Sequence, residues 1–387
     1  MDYIPYGRQD ITEDDIFAVQ QVLSSDYLTQ GPKVPQFESA LSEYCGVRHA
    51  VAVNSATSAL HIACRALDVQ KGDIVWTSPI TFAATSNAAL QCGATVDFID
   101  IDLKSFNICC DELERKLQIA EQNNKIPKVV IPVHMCGQAC DMKRIAELAS
   151  KYGFSIIEDA SHAVGGEYKS RKVGSCRHSD ITVFSFHPVK IITTGEGGAA
   201  LTNDKRLADK MVRLRSHGIT RESGQLERKN PEAWHYEQLD LGYNYRMTDI
   251  AASLGCSQMN RLDEYIKARQ LIAKRYQKSL SELPIDLPWI NSDVKSSYHL
   301  YVIILEPSMI TRRESIFNKL RSSGIGVNVH YMPVYHHPYY RELGFQSGYC
   351  KKAEEYYLSC LTLPIFPKMT KDEQDYVVSV LTGALQE

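Results

Sequence analysis

Phe184-Ser185-Phe186-His187-Pro188-Val189-Lys190-Ile191-Ile192-Thr193-Thr194-Gly195-Glu196-Gly197-Gly198 is the stretch on which the reading of the chain turns. It begins as the end of an apolar run, Ile181-Thr182-Val183-Phe184, and breaks at Pro188. Lys190 follows among Val189, Ile191 and Ile192, ahead of a glycine-rich turn. An ammonium in apolar surroundings loses solvation, so its pKa falls and the side chain becomes an amine nucleophile. The competing reading is a lysine that snorkels to the surface beside a strand. On this stretch alone the two weigh equally, and the rest of the chain must separate them.

Working outward, strand-like runs at Ile74–Thr77, Thr95–Ile99, Val129–Val133, Ser155–Glu158 and Ile181–Phe186 alternate with helix-like runs at Ser58–Ala66, Ala83–Gln91, Asp111–Glu121 and Met142–Tyr152. Such alternation predicts crossover units and a mostly parallel α/β sheet covered on both faces. Before it come a capped helix from Thr12 to about Ser25, a turn at Asp26–Pro32, a helix over Val34–Tyr44 and a strand at His49–Val53. After it, Asp204–Arg215 reads as a helix, Thr220–Tyr236 as an irregular loop, and Met247–Lys274 as a strongly helical stretch leaving the large unit. Beyond Pro284 the pattern becomes α+β. Strands are expected at Tyr298–Leu305 and Gly326–Tyr331, with helices at Thr311–Ser322 and from a second capping signature at Thr370. The expected organisation is a large domain over 1–260 and a smaller α+β domain over 261–387.

The bulk numbers narrow the function. With 387 residues, a net charge of −3 and 23% charged residues, nothing points to nucleic acid or an anionic membrane surface. The N-terminal Met1-Asp2-Tyr3-Ile4-Pro5 lacks a signal-peptide pattern, and no apolar run approaches about 20 residues. A cytoplasmic protein with eleven reduced cysteines is expected. Cys136-x-x-x-Cys140 and Cys109-Cys110 lack a second pair at zinc spacing and read as structural; no metal is expected. Gly195-x-Gly197-x-x-Ala200 imitates a dinucleotide fingerprint, but Ala199–Thr202 behind it reads as strand where that fingerprint needs a helix. The histidines, His134, His162, His187, His330, His336 and His337 among them, form no zinc-hydrolase pair.

Asp159 ends an apolar strand, where open parallel sheets bind ligands, about one crossover unit ahead of Lys190. A lysine that can carry an aldehyde and an aspartate for a ring nitrogen are what a protein contributes to pyridoxal phosphate chemistry. Alone, Asp159 would read as a helix cap. Asn54-Ser55-Ala56-Thr57-Ser58 runs from strand into helix and offers free N–H groups and hydroxyls to a phosphate, or simply an N-cap. Phe82, in the turn Ser78-Pro79-Ile80-Thr81-Phe82, could stack on a flat ring or belong to the core.

Asn54–Leu60 (NSATSAL), Glu158–Ala163 (EDASHA), Phe184–Gly198 and Gly242–Asp249 (GYNYRMTD) together resemble the DegT/DnrJ/EryC1/StrS family of sugar-nucleotide aminotransferases over nearly the whole chain. The resemblance implies a fold-type I pyridoxal phosphate transferase, with a mostly parallel, seven-stranded type of sheet between helices. It implies pyridoxal 5′-phosphate (PLP, cycling with pyridoxamine phosphate, PMP) attached at Lys190, with Asp159 on the ring nitrogen, His162 near the ring oxygen and Phe82 stacked. Many relatives have glutamine where this chain has His162. Ala56, Thr57 and Ser185 would hold the phosphate, joined by Asn244 from the other subunit of a homodimer. Tyr6, the loop Asp26, Tyr27, Leu28 and Thr29, and the segment His330, Tyr331, Met332 and Pro333 would hold the sugar nucleotide. Leu28–Gly31, Ser161–Ala163, Ile192–Thr194, His299–Tyr301 and His330–Pro333 point further, to relatives of pseudaminic acid biosynthesis. Those aminate C4 of a UDP-4-keto-6-deoxy-N-acetylhexosamine with L-glutamate. Arg246 could pair with a donor carboxylate or the nucleotide phosphates, or serve structure alone. The competing functions are a sibling enzyme for another keto-sugar nucleotide, such as a bacillosamine or perosamine type, a catalytically silent regulatory homologue, and a nicotinamide enzyme.

Overall fold

The computed structural model describes residues 3–386; Met1, Asp2 and Glu387, the outermost positions of the expected domains, lie outside it. Seven strands make the central sheet: β1 (His49–Val53), β2 (Ile74–Thr77), β3 (Thr95–Phe98), β4 (Val129–Ile131), β5 (Ser155–Asp159), β6 (Ile181–Ser185) and β7 (Gly198–Thr202). Their order is β1-β7-β6-β5-β4-β2-β3. Pairs among β2–β6 are parallel, and β7 alone runs antiparallel, to both β1 and β6. The inner strands β4, β5 and β6 are short Val/Ile-bearing runs buried almost throughout, as crossover helices on each side require, and β7, Gly-Ala-Ala-Leu-Thr, is buried along its length. The turn after Lys190 therefore leads straight back into the sheet, as expected from Ala199–Thr202, and no helix follows it.

Local chemistry sets the helix ends. Helix α1 (Glu13–Leu23) starts where Asp15 accepts from the Thr12 N–H at 2.9 Å. Helix α2 (Lys33–Cys45) stops at Gly46, whose φ of 66° a side chain rarely adopts. Ser55 caps α3 (Ala56–Ala66) by accepting from Ser58 N. Helix α4 (Ala84–Gln91) follows the Ser78–Phe82 turn.

One sequence expectation is refined and one fails. The helical stretch over Met247–Lys274 is made of two helices, α5 (Asp249–Met259) and α6 (Leu262–Ser279), separated at Asn260-Arg261. The break lets Arg261 turn back to Asp15 on α1, with both carboxylate oxygens 2.7 Å from Nη2. Among the described residues Gly326–Tyr331 is not a strand of a sheet; its backbone pairs through a single bridge, Asn328 with Thr362, beside another at Ile325 with Ile4. Gly326 lies so close to Ile4 O and Tyr6 N, each 2.9 Å from where a Cβ would sit, that the N-terminal segment occupies the edge a ladder would need.

Helix α6 joins two cores. Leu262, Tyr265 and Ile266 pack with the large sheet, while Ile272, Ala273 and Tyr276 pack with β9 (Tyr301–Leu305) and β10 (Cys360–Leu363) of a three-stranded antiparallel sheet that starts at β8 (Ile285–Asp286). Among the described residues no helix is long and apolar enough to cross a membrane.

Candidate active site

The site forms where β4, β5 and β6 end. Asp159, the last residue of β5, is buried, and its Oδ2 accepts from Thr85 Oγ1 at 2.6 Å, which in turn meets Thr81 Oγ1 at 2.7 Å. The other oxygen, Oδ1, accepts from Ser161 N at 3.1 Å. Neutral donors thus hold the carboxylate in place without a cation locked onto it. Lys190 lies on the turn after β6, its N–H donating to His187 O. The turn leaves part of the lysine side chain facing the cleft, yet protein atoms crowd its head. Burial pushes the ammonium down to about 8, while the charge of Asp159 pulls the other way. This separates the two readings of Lys190: a snorkelling lysine keeps its full hydration and ordinary pKa.

At the start of α3 the first N–H groups have no partner within the helix, and Ser58 Oγ donates to Asn54 Oδ1 at 2.7 Å. Gly198, first residue of β7, is pressed against this turn: a Cβ there would sit 2.5 Å from Ala56 N. Ser185 is buried directly opposite Gly198 in the β6–β7 register. The result is a narrow cradle of backbone donors and one hydroxyl, suited to a phosphate. Phe82 is 65% exposed, which removes the reading of it as core and leaves its ring free in the cleft.

His162 is buried, with Nε2 3.2 Å from the Tyr331 hydroxyl and Nδ1 without a partner. Its ring meets His299 at 4.4 Å between centroids. Burial, reinforced by Lys190 and His330, holds its pKa well below the usual range, so the imidazole is neutral. The segment His330–Pro333 reaches the cleft because Val334 N donates to Pro79 O at 2.9 Å, joining it to the turn that carries Phe82. His330 Nδ1 lies 2.9 Å from Thr362 Oγ1, and Tyr6 packs on the His330 ring at 5.2 Å. Tyr331 lies 6.5 Å from Phe82, centroid to centroid.

The structure therefore brings Lys190, Asp159, His162, Phe82, Tyr331, His330 and Tyr6 into one connected region, with Ala56, Thr57 and Ser185 forming the cradle. It does not bring the other expected residues into that network. Asp26, Tyr27, Leu28 and Thr29 are exposed on a loop that Asp249 fastens through Gly31 N and Lys33 N. Asn244 is exposed on the segment that runs along β1. Arg246 donates to Ser216 Oγ at 3.1 Å and is held there. Thr85 was missed from sequence, and His299 enters there only as part of the His299–Tyr301 family signal, not as a site residue. A threonine in the first turn of the helix after Phe82 was the available signal for Thr85, but nothing local aims it at Asp159.

PLP fits what is present. The cradle suits its phosphate, the Asp159 carboxylate suits a ring nitrogen, the Phe82 face suits the ring, and Lys190 is an amine of lowered pKa for the aldehyde.

Comparison with known proteins agrees. The DegT/DnrJ/EryC1/StrS aminotransferase family model matches residues 9–382. The UDP-4-amino-4,6-dideoxy-N-acetyl-beta-L-altrosamine transaminase of Campylobacter jejuni is 40% identical over 385 residues, 99% of this chain and 98% of that protein. The solved structure of Helicobacter pylori PseC, an aminotransferase of pseudaminic acid biosynthesis, superposes with a TM-score of 0.92 at 32% identity, covering 100% of both chains. A Streptococcus pneumoniae sugar aminotransferase in its PLP form superposes with a TM-score of 0.89 at 31% identity, covering 99% of each chain. The chain belongs to the DegT/DnrJ/EryC1/StrS aminotransferase family and is a pyridoxal-phosphate-dependent aminotransferase.

Proposed function

We propose that the chain moves the amino group of L-glutamate to C4 of UDP-2-acetamido-2,6-dideoxy-β-L-arabino-hex-4-ulose, in the pathway to pseudaminic acid. The observation that carries this reading is the full-length likeness to a transaminase named for the corresponding 4-amino sugar. It goes with a connected lysine, aspartate and neutral histidine at the sheet's carboxyl end.

PLP, when bound, draws electrons from the carbon beside the nitrogen it holds and makes that carbon acidic. The chain's own groups do the rest. Lys190 Nζ, near 8, is basic enough to take a proton from carbon and acidic enough to return it. Asp159, fixed by Thr85 and Ser161, offers a carboxylate to a ring N–H. The neutral His162 carries no charge to compete for electrons and links the ring's neighbourhood to Tyr331. Phe82, exposed here, would pack on one face of the bound ring and shield it from water. Tyr6, His330, Tyr331, Met332 and Pro333 line the approach a sugar would take, and the Asp26–Thr29 loop contributes from its exposed position.

The unit over 1–260 holds the cofactor and 261–387 forms the smaller unit, with α6 spanning both cores. A homodimer carries Asn244 into the partner's phosphate site; supporting it, Asn244 and the large apolar side chains Phe17, Trp234 and Leu241 are all exposed. The enzyme works in the cytoplasm, where its free cysteines stay reduced.

The test offers glutamate with UDP-, dTDP- and GDP-linked 4-keto sugars and identifies the products by mass spectrometry, then NMR at C4. Amination of the UDP-N-acetyl substrate is expected. Amination of a different sugar alone would reassign the substrate, and no amination of any would end the proposal.

A further inference from the structure

Towards the far ends of α3, which starts the cradle, and α4, which carries Thr85, lies a second cluster of reactive groups, and the reaction above uses none of them. His61, Cys64 and Arg65 share one face of α3, at positions i, i+3 and i+4. Cys92 caps the C-terminal end of α4, which packs against α3. Cys64 is fully buried; Cys92 is partly exposed, so a small reagent can reach it. Cys64 belongs to the buried cluster between the two helices, and Cys92 packs against that same cluster.

The nitrogens on this face of α3 are unusual. His61 is buried, with Nδ1 engaged 3.0 Å from the Tyr245 hydroxyl, while Nε2 is buried with no hydrogen-bond partner. Arg65 Nε is also buried without a partner, and its Nη1 reaches only Val69 O at 3.4 Å. Two unmatched buried nitrogens beside a neutral thiol are costly, and a thiolate sulfur offers them what they lack. Consistent with this, hydrogen bonding from Cys64, opposed by burial and helped by His61 and Arg65, brings the Cys92 thiol down to about 6. Cys64, sharing its proton with Cys92, is held well above the ordinary range. Burial pushes Cys45, Cys110, Cys136, Cys176, Cys350 and Cys360 upward, so reactivity is concentrated at one sulfur.

We propose that Cys92 and Cys64 are a hydroperoxide-reactive dithiol, with Cys92 attacking and Cys64 resolving. The Cys92 thiolate attacks the terminal peroxide oxygen. The O–O bond breaks, the sulfur is oxidised to a sulfenic acid, and the departing hydroxide or alkoxide takes a proton to leave as water or alcohol. The Cys64 sulfur then attacks the sulfenic sulfur, its proton leaving with the displaced hydroxide as water, and a disulfide remains. The two electrons that reduce the peroxide come from the thiol pair. The bond joins the helix that starts the phosphate cradle to the helix that carries Thr85.

The test uses the holoenzyme. Iodoacetamide at pH 7 followed by peptide mass mapping should mark Cys92 at least 10-fold faster than the partly exposed Cys109, Cys110 and Cys256, with a rate that rises through pH 6. One equivalent of hydrogen peroxide should give a Cys64–Cys92 crosslink that dithiothreitol reverses. In Cys64→Ser, dimedone should trap a sulfenic acid at Cys92 instead. Labelling of Cys92 no faster than the other three, or oxidation of the wild type that passes to sulfinic acid without a crosslink, would overturn the proposal.

Discussion

A methyl group added at Gly198 is the sharpest probe of the cradle. The new carbon would stand 2.5 Å from Ala56 N, 2.6 Å from Ser55 C and 2.7 Å from Ala56 Cα. Relaxed contacts between such atoms lie near 3.5 Å, so β7 or the first turn of α3 must retreat by about 1 Å. All three obstacles are backbone, and none can swing aside as a side chain would. Overpacking of this kind costs about 1–3 kcal/mol. The displaced atoms include an N–H that faces the phosphate, so part of the cost returns as lost cofactor affinity. At about 1.4 kcal/mol per tenfold, Gly198→Ala should raise the Kd for PLP by about 5- to 100-fold. The assay is an absorbance titration of apoenzyme with PLP, alongside urea unfolding of the apoprotein. Gly224→Ala, with nothing within 4 Å of the added carbon, is the control and should match wild type. A Gly198→Ala protein that matched this control in both measurements would refute the argument that the cradle depends on that close approach.

Thr85→Val removes the 2.6 Å donor to buried Asp159, an unmade bond of about 1–3 kcal/mol; kcat should fall about 10- to 100-fold with KM for the sugar nucleotide little changed, read by steady-state kinetics. The rate at which apoenzyme captures PLP should rise with pH to a midpoint near 8, because only the neutral Lys190 amine attacks and burial lowers its pKa. Asp159→Asn, by removing the charge that raises that pKa, should move the midpoint lower. Asp15→Asn removes the negative charge facing Arg261 and replaces one of the two oxygens that accept from Arg261, Thr12 N and Gln258 Nε2 with an NH2, and should lower unfolding stability by about 2–3 kcal/mol in urea titrations. Burial raises the Asp15 pKa, but hydrogen bonds from Ser257, Thr12 and Arg261 outweigh it and leave it lowered. The advantage of the wild type is therefore complete above the ordinary aspartate pKa of about 3.9 and fades as pH falls through the lowered value.

The parts of the fold legible in sequence were those written in local pattern. Six of the seven central strands fall in runs with Val or Ile, β7 being Gly-Ala-Ala-Leu-Thr, and the capping groups at Thr12 and Thr370 are where the sequence puts them: Thr370 N donates to Glu373 Oε2 and Glu373 N to Thr370 Oγ1. Lys190 and Asp159 were readable because each stands at the end of an apolar strand, where a charge needs a reason. What escaped depends on contacts across the chain. The break at Asn260 follows from Arg261 reaching Asp15, 246 residues away. The failed strand at Gly326–Tyr331 follows from the N-terminal segment lying against it. Thr85 acquires its role only when α4 is laid over the end of β5, and His299 only when the small sheet brings it to 4.4 Å from His162. Neither the period nor the composition of those stretches encodes such meetings.

The measurement that most directly tests the central claim is borohydride reduction of PLP-loaded enzyme followed by peptide mass mapping. The account predicts one pyridoxyl group per chain, on the peptide that contains Lys190 and absent from Lys190→Ala. A pyridoxyl group on another lysine, or none on fully loaded protein, would contradict it.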